Sequence, residues 1–421
     1  MTLRLILTVA TLLAAGCGSR HDDPGVVRFW AMGREGEVVA ALVAEFEQAH
    51  PGVRVDVQQL PWSAAHEKLL TAFAGGVTPD LCQLGNTWIP EFAALDSLEP
   101  LDAHVAASSV IAPDDYFRGI WQTNRVGGRL YGVPWYVDTR LLFYRRDLLA
   151  QAGFPAAPTS WPEWIAMLNA IRDQHVPGRH GLVLPVNEFE PLVALALQQD
   201  EPLLRDGDRF GNFRSAGFAR ALTFYAGMYR AGYAPPVASS DISNIWNEFG
   251  RGRFVFFVSG PWNIGELQRR MPSDLQQSWA TAPLPGPDGP GASIAGGSSL
   301  VMFRHARAKP AVWQLIEFLS RPDIQARFHG LTGDLPPRRT AWRDSSLAAD
   351  PYARAFGEQL ERVKPTPAVP EWERIANEIR LTTERVVDGR LTVAEAQREL
   401  DARTDQILEK RRSLLDRRSA P

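Results

Sequence analysis

Aromatic residues recur beside amides and carboxylates along this chain. The segments are Phe29-Trp30, Asn86-Thr87-Trp88, Trp135-Tyr136-Val137-Asp138, Asn244-Ile245-Trp246-Asn247 and Gly260-Pro261-Trp262-Asn263. A flat indole face covers the apolar C–H face of a sugar ring, while carboxylates and amides pair with its hydroxyls. Aromatic side chains with Asp or Asn at strand ends therefore supply what a carbohydrate pocket needs. Of the 13 Trp, Trp30, Trp88, Trp135, Trp246 and Trp262 are the candidates for ligand contact. Trp161, Trp164, Trp279, Trp313 and Trp372 read as large core residues.

Catalytic signatures are missing. The sequence holds no GxxxxGK[ST] loop and no GxGxxG opening a helix after a strand, so both nucleotide fingerprints are absent and no cofactor is implied. Gly296-Gly297-Ser298-Ser299-Leu300 approaches GxSxG but lacks the final Gly. The eight His are scattered without metal-ligand spacing. Carboxylates are plentiful, yet nothing selects a glycosidase pair among them. Cys82 sits in Leu81-Cys82-Gln83-Leu84 and reads as a buried strand residue.

The elements that must position these residues alternate between strand and helix. Val26 to Trp30 is a β-rich run. Val39, Leu42, Val43 and Phe46 then share one helical face, Pro51-Gly52 stops that helix, and Val53, Val55 and Val57 alternate as a strand. Such a βαβ unit places its strands in parallel. A second helix through Ala65, Leu69, Ala72 and Phe73 closes at Gly75-Gly76, before a strand at Asp80 to Leu84. Leu130 to Phe143 is strand-like, interrupted by Gly132 and Pro134. Ser160-Trp161-Pro162-Glu163 and Thr392-Val393-Ala394-Glu395 read as capping boxes. The second opens a helix carrying Ala396, Leu400, Thr404 and Ile407 on one face. Pro283 to Gly291 is a long turn.

With 421 residues, 45% hydrophobic and 22% charged, the chain is too long for one ordinary domain and too polar for a polytopic membrane protein. A formal net charge of -3 leaves no basic footprint for nucleic acid. Only Lys68, Lys309, Lys364 and Lys410 are Lys among 45 basic residues, a skew spread along the whole chain. The start, a basic Arg4, an apolar run from Leu5 to Ala15 and small residues before Cys17, reads as a secretory signal over 1–16. Eleven apolar residues are too few to span a bilayer, which takes about 20. Leu13-Ala14-Ala15-Gly16-Cys17 resembles a bacterial lipobox, although its Leu lies one position earlier than in the commonest pattern. Cys17 is thus the expected lipid attachment point, and 17–24 a tether to the membrane.

Longer segments carry a family resemblance. Tyr131-Gly132-Val133-Pro134-Trp135-Tyr136-Val137-Asp138-Thr139-Arg140, running on to Phe143-Tyr144-Arg145-Arg146-Asp147-Leu148, resembles the hallmark of extracellular solute-binding proteins of family 1. These are the maltose-binding-like, sugar-binding lipoproteins of ABC importers. Phe249 to Trp262, Ala295-Gly296-Gly297-Ser298, Gly333-Asp334-Leu335-Pro336-Pro337-Arg338 and Val387 to Thr392 resemble further hallmarks. The similarity runs from about residue 25 to 412. It implies an α/β, periplasmic-binding-protein-like two-lobe fold of type II with a hinge of three crossing segments. Lobe 1 would be 25–136 and 297–331, lobe 2 would be 137–296 and 332–421, and the ligand would lie between them. It also implies that Trp135, Tyr136 and Asp138 supply an aromatic and an acid, that Trp262 stacks on a ring, and that Gly296, Gly297 and Ser298 let amides approach. Arg338 would donate to hydroxyls and Glu35 would be an acidic contact. Asn86, Trp88, Trp30 and Trp246 complete the candidate set. The implied role is a monomeric receptor that delivers a di- or oligosaccharide, maltose- or trehalose-like, to ABC permease subunits. The alternatives are a glycerol-phosphate ligand, an exported glycosidase, and a sugar-sensing subunit of a signalling system.

Overall fold

The first crossover forms as its periodicity dictates. Strand β1 (Val26–Met32), helix α1 (Gly33–Ala49) and strand β2 (Arg54–Leu60) follow one another, and β1 pairs in parallel with β2, Val27 opposite Val55. Helix α1 buries Val39, Leu42, Val43 and Phe46, the i, i+3, i+4, i+7 face, against the sheet. Helix α2 (Trp62–Ala74) buries Ala65, Leu69 and Ala72, and β3 (Leu81–Gly85) joins β1 in parallel. This computed structural model describes residues 25–238, 241–242 and 244–419. The secretory signal over 1–16, Cys17 and the tether 17–24 lie outside the described residues.

Six more strands complete two main sheets: β4 (Val133–Asp138), β5 (Leu141–Arg145), β6 (His180–Val183), β7 (Phe254–Ser259), β8 (Trp279–Ala282) and β9 (Gly296–Met302). The first sheet runs β2-β1-β3-β9-β4 and the second β8-β5-β7-β6. In the first, β9 is antiparallel to both β3 and β4. The strand-like stretch expected over Leu130–Phe143 breaks at Tyr131-Gly132, in line with the expected interruption at Gly132, and again at Thr139-Arg140 between β4 and β5, while Pro134 causes no break. Pro134 is accommodated inside β4 because β4 is an edge strand and its pairing with β9 shifts register at Ser298/Ser299.

Each sheet carries apolar clusters on its faces. Phe29, Phe46, Trp135 and Leu315 belong to one cluster of the first sheet, and Leu69, Cys82, Phe92 and Phe303 to another. The second sheet packs Trp164, Leu192, Tyr225 and Trp372 in one cluster and Phe143, Phe257, Trp279 and Phe356 in another. Helix α3 (Trp161–Asp173) is capped by Ser160, which accepts from Glu163 N. Its capping box is incomplete, because the Glu163 carboxylate reaches back to the amide and hydroxyl of Thr159. The box at Thr392 and Glu395 closes in both directions. Trp161, Trp164, Trp279 and Trp372 are buried and Trp313 is packed against a core cluster.

Three segments link the sheets. Thr139-Arg140 joins β4 to β5, and Ala295 precedes β9. The third passes Leu335, whose carbonyl accepts from Val137 N at 2.8 Å. Side chains tie the first two together: Thr139 Oγ1 donates to Ile294 O (2.9 Å), and Ser293 Oγ to Arg140 O (2.6 Å).

Candidate functional site

Parallel strands gather functional groups at their C-terminal ends, where the next loop or helix begins. Here β1, β3 and β4 of the first sheet and β6 and β7 of the second end at one cleft of about 510 Å³. Helix α1 starts there with Arg34 and Glu35. The turn Asn86–Trp88 follows β3, and β4 delivers Tyr136 and Asp138. Gly296, Gly297 and Ser298 open β9, and Asp334 lies on the third crossing. From the second sheet come Phe189 and Glu190, at the start of α4 (Glu190–Leu197), and Trp262, at the start of α5 (Trp262–Arg270). Trp262 and Arg34 also border a second cavity of about 840 Å³ that reaches Trp246, His329 and Asp350.

Close approaches at this cleft depend on glycine. Gly33 has φ +54°, and a Cβ there would come within 2.9 Å of both Glu35 Oε2 and the Trp62 ring. Its absence lets Glu35 fold back toward Trp62. Gly297 has φ +128°, and a Cβ would meet Tyr136 O at 2.3 Å, so β9 lies against β4 only because no side chain stands there.

Buried hydrogen bonds fix the acids. Gln83, fully buried, accepts from Met32 N (2.7 Å) and donates to the Tyr136 hydroxyl (3.0 Å). Ser298 Oγ also donates to that hydroxyl (3.0 Å), whose proton is left for the Glu35 carboxylate. The Trp62 indole also hydrogen-bonds Glu35. Asn86 Nδ2 donates to Ala295 O at 2.7 Å. Arg140 Nη1 donates to Asp138 Oδ1 (2.6 Å), Nη2 donates to Glu190 Oε1 (3.0 Å), and the guanidinium lies 4.9 Å from the Trp262 ring.

The cleft is acidic. Burial raises Glu35 above the ordinary carboxylate range, against the pull of its hydrogen bonds, with Asp138 adding to the rise. Burial, then the charges of Glu35 and Asp138, push Asp334 well above that range. Asp138 is raised by burial although Arg140 pulls the other way. Burial works against the charge on Arg140, but Asp138, Glu190 and Glu188 outweigh it and raise its pKa. Among the described residues no cluster of three or more His, Cys, Asp or Glu could hold a metal ion.

Nine of the candidates from the sequence line this cleft: Glu35, Asn86, Trp88, Tyr136, Asp138, Trp262, Gly296, Gly297 and Ser298. Four do not. Trp135 is 1% exposed and stacks on Phe328 at 4.4 Å, inside the apolar cluster of the first sheet. Trp30 packs against the core with the Lys68 ammonium 4.8 Å over its ring. Trp246 donates to Asn263 Oδ1 (2.8 Å), lies under Arg270 and borders the second cavity. Arg338 is buried: its Nε donates to Asp115 Oδ2 (2.7 Å) and its Nη1 to Ser320 O (2.7 Å).

Sequence reasoning missed Arg34, Trp62, Thr87, Arg140, Phe189, Glu190 and Asp334 as lining residues. Trp62 follows the strand through Val57, so the strand-end rule applied there finds it. Arg140 and Asp334 stand inside the hallmark segments. Phe189 and Glu190 carry no local signal.

Comparison with known proteins agrees with this architecture. A solved structure of the sugar-binding protein MalE from the phytopathogen Xanthomonas citri superposes with a TM-score of 0.90 at 57% identity, covering 93% of this chain and 99% of that one. An uncharacterized lipoprotein of Streptomyces antibioticus is 30% identical over 398 residues, 88% of this chain and 85% of its own. A diacetylchitobiose-binding protein of Streptomyces coelicolor is 22% identical over 385 residues, 86% of this chain and 87% of its own. The fold is the mixed α/β, two-lobe architecture of maltose-binding-like proteins. A model of the bacterial extracellular solute-binding proteins matches residues 41–355, and the chain belongs to that family.

Proposed function

We propose that this protein is the substrate-binding receptor of a carbohydrate ABC importer. It captures a neutral di- or oligosaccharide, maltose- or trehalose-like, and hands it to the permease. The observation that carries the reading is one cleft lined by Trp62, Trp88 and Trp262 together with Glu35, Asp138, Glu190 and Asp334. Indole faces suit the C–H faces of sugar rings, and ionised carboxylates accept from their hydroxyls. Of the two arginines lining the cleft, Arg140 is already engaged by Asp138 and Glu190, which argues against the glycerol-phosphate alternative. The likeness to a sugar-binding MalE and to a diacetylchitobiose-binding protein supports the same class.

A division into two lobes is part of this proposal, but its boundaries fall at Thr139-Arg140, Ala295 and Leu335 in place of 136/137, 296/297 and 331/332, because β4 and β9 lie whole in the first sheet. Hinge closure in periplasmic binding proteins is an established general case. Ligand touches both lobes only when they are closed, and that differential contact shifts the population. The closed form is then what the permease recognises, and no covalent chemistry is needed. Lipid attachment at Cys17, on the outer side of the cell membrane, and a monomeric state complete the reading. A relative called a lipoprotein supports the anchor. Among the described residues no helix is long and apolar enough to cross a membrane.

Calorimetry over a panel of maltose, trehalose and longer oligosaccharides tests the reading. A micromolar Kd corresponds to about -8 kcal/mol. Trp262→Ala and Asp138→Ala each bind at least tenfold more weakly while folding normally. Unchanged affinity in both sinks the site, and turnover of any sugar in the panel points to a glycosidase.

A further inference from the structure

We infer that Arg140 is a positioning residue of this cleft, holding Asp138 and Glu190 by one oxygen each so that their other oxygens face the ligand. The inference rests on the sugar-binding reading and goes beyond it. Asp138 ends β4 and belongs to the first sheet, while Glu190 opens α4, whose Leu192 and Val193 lie in the core of the second. Arg140 stands in the link between the sheets, so its guanidinium joins one acid from each side. Its side chain is 9% exposed, against 30% for Asp138 and 25% for Glu190. The cation therefore lies beneath and the acids stay open to the cleft. Among the described residues, neither Asp138 Oδ2 nor Glu190 Oε2 receives a hydrogen bond, and both residues border the cavity.

Two further contacts show that Arg140 is itself held in place. Its carbonyl accepts from Ser293 Oγ on the second crossing (2.6 Å), and its guanidinium lies against Trp262. Trp262 in turn presses on Gly260, where a Cβ would come 1.9 Å from the ring. A planar fork is needed for two carboxylates in different directions plus a ring face. A lysine ammonium supplies the charge without the fork.

The test measures sugar affinity by calorimetry between pH 5 and 8. It uses wild type, Arg140→Lys, Arg140→Met, Glu190→Gln and the double variant Arg140→Met/Glu190→Gln, with Trp135→Phe as a core control. Both Arg140 variants are expected to lose at least tenfold in affinity, with Lys failing to restore wild-type binding. The double variant is expected to lose no more than Arg140→Met alone, since both changes break one unit. Without the guanidinium, which pulls both downward, Asp138 and the neighbouring Glu188 hold protons to higher pH. The pH below which affinity falls therefore moves upward in Arg140→Met and not in Trp135→Phe. Should Arg140→Met fail to fold, Glu190→Gln carries the test, with an expected loss of about fivefold. Affinity within twofold of wild type in the folded variants, or an unmoved pH profile, overturns the inference alone. A wild type that binds no sugar in the panel overturns the sugar reading and this inference together.

Discussion

Two buried arginines in this molecule each meet a carboxylate, with opposite results. On the third crossing, Asp115 accepts from Arg338 and from both the amide and the hydroxyl of Thr340. Burial raises Asp115, but these hydrogen bonds outweigh it and hold the carboxyl below its ordinary value. In the cleft, Asp138 has Arg140 for a partner, shares it with Glu190, and stays raised by burial. The Arg338 pair is saturated, one acid with a full set of donors. The Arg140 cluster has one cation for two acids, each bonded through a single oxygen. The first arrangement suits a joint between segments, and the second leaves acceptor capacity for a ligand to use.

Breaking the saturated pair gives the largest effect. Arg338→Ala strands Asp115 without its charge partner and is expected to cost about 3–5 kcal/mol of stability, measured by urea unfolding. Fully stable protein with weakened sugar binding would return Arg338 to the role expected of it from sequence. Next comes Asp138→Ala, where the change appears in affinity, at least tenfold or about 1.4 kcal/mol, with the unfolding midpoint nearly unmoved.

The pH dependence of stability separates the two regions more finely. Glu35, Asp138 and Asp334 are raised in the folded state. Their contribution is present below the ordinary carboxylate range and is lost as pH rises through their raised values. Asp115 is lowered, so its contribution is present above that range and is lost as pH falls through its depressed value. Thermal melts of ligand-free Asp334→Asn are therefore expected to gain over wild type at pH 8 and to match it near pH 4. Equal gains at both would remove the electrostatic explanation. The smallest effect belongs to Trp30→Phe, with sugar affinity within twofold of wild type, because that ring lies under Lys68 and outside the cleft.

Much of the frame is legible in the residues. The spacing of Val39, Leu42, Val43 and Phe46 gives α1 and its buried face, and the alternation of Val53, Val55 and Val57 gives β2. Which of two neighbouring rings reaches the cleft is the harder matter. Trp135 and Tyr136 both lie near Phe328, and only the meeting of the Tyr136 hydroxyl with Gln83 and Ser298 marks it as the one at the cleft wall. Arg338 reads as a hydroxyl donor until Asp115, more than two hundred residues earlier, is seen beside it. Glu190 reaches Asp138 through Arg140 across fifty residues, and no local periodicity reports such a meeting.

The buried amide of Gln83 has a consequence for the ligand. Its oxygen is taken by Met32 N, so its nitrogen must donate to Tyr136, and Tyr136 must pass its own proton toward Glu35. Polarity therefore travels one way, from the backbone of β1 to the wall of the cleft, and ends on a group that only accepts while ionised. While Glu35 is ionised, whatever meets it has to arrive with a hydrogen to give. A sugar hydroxyl meets that demand at this wall, and a ring oxygen does not.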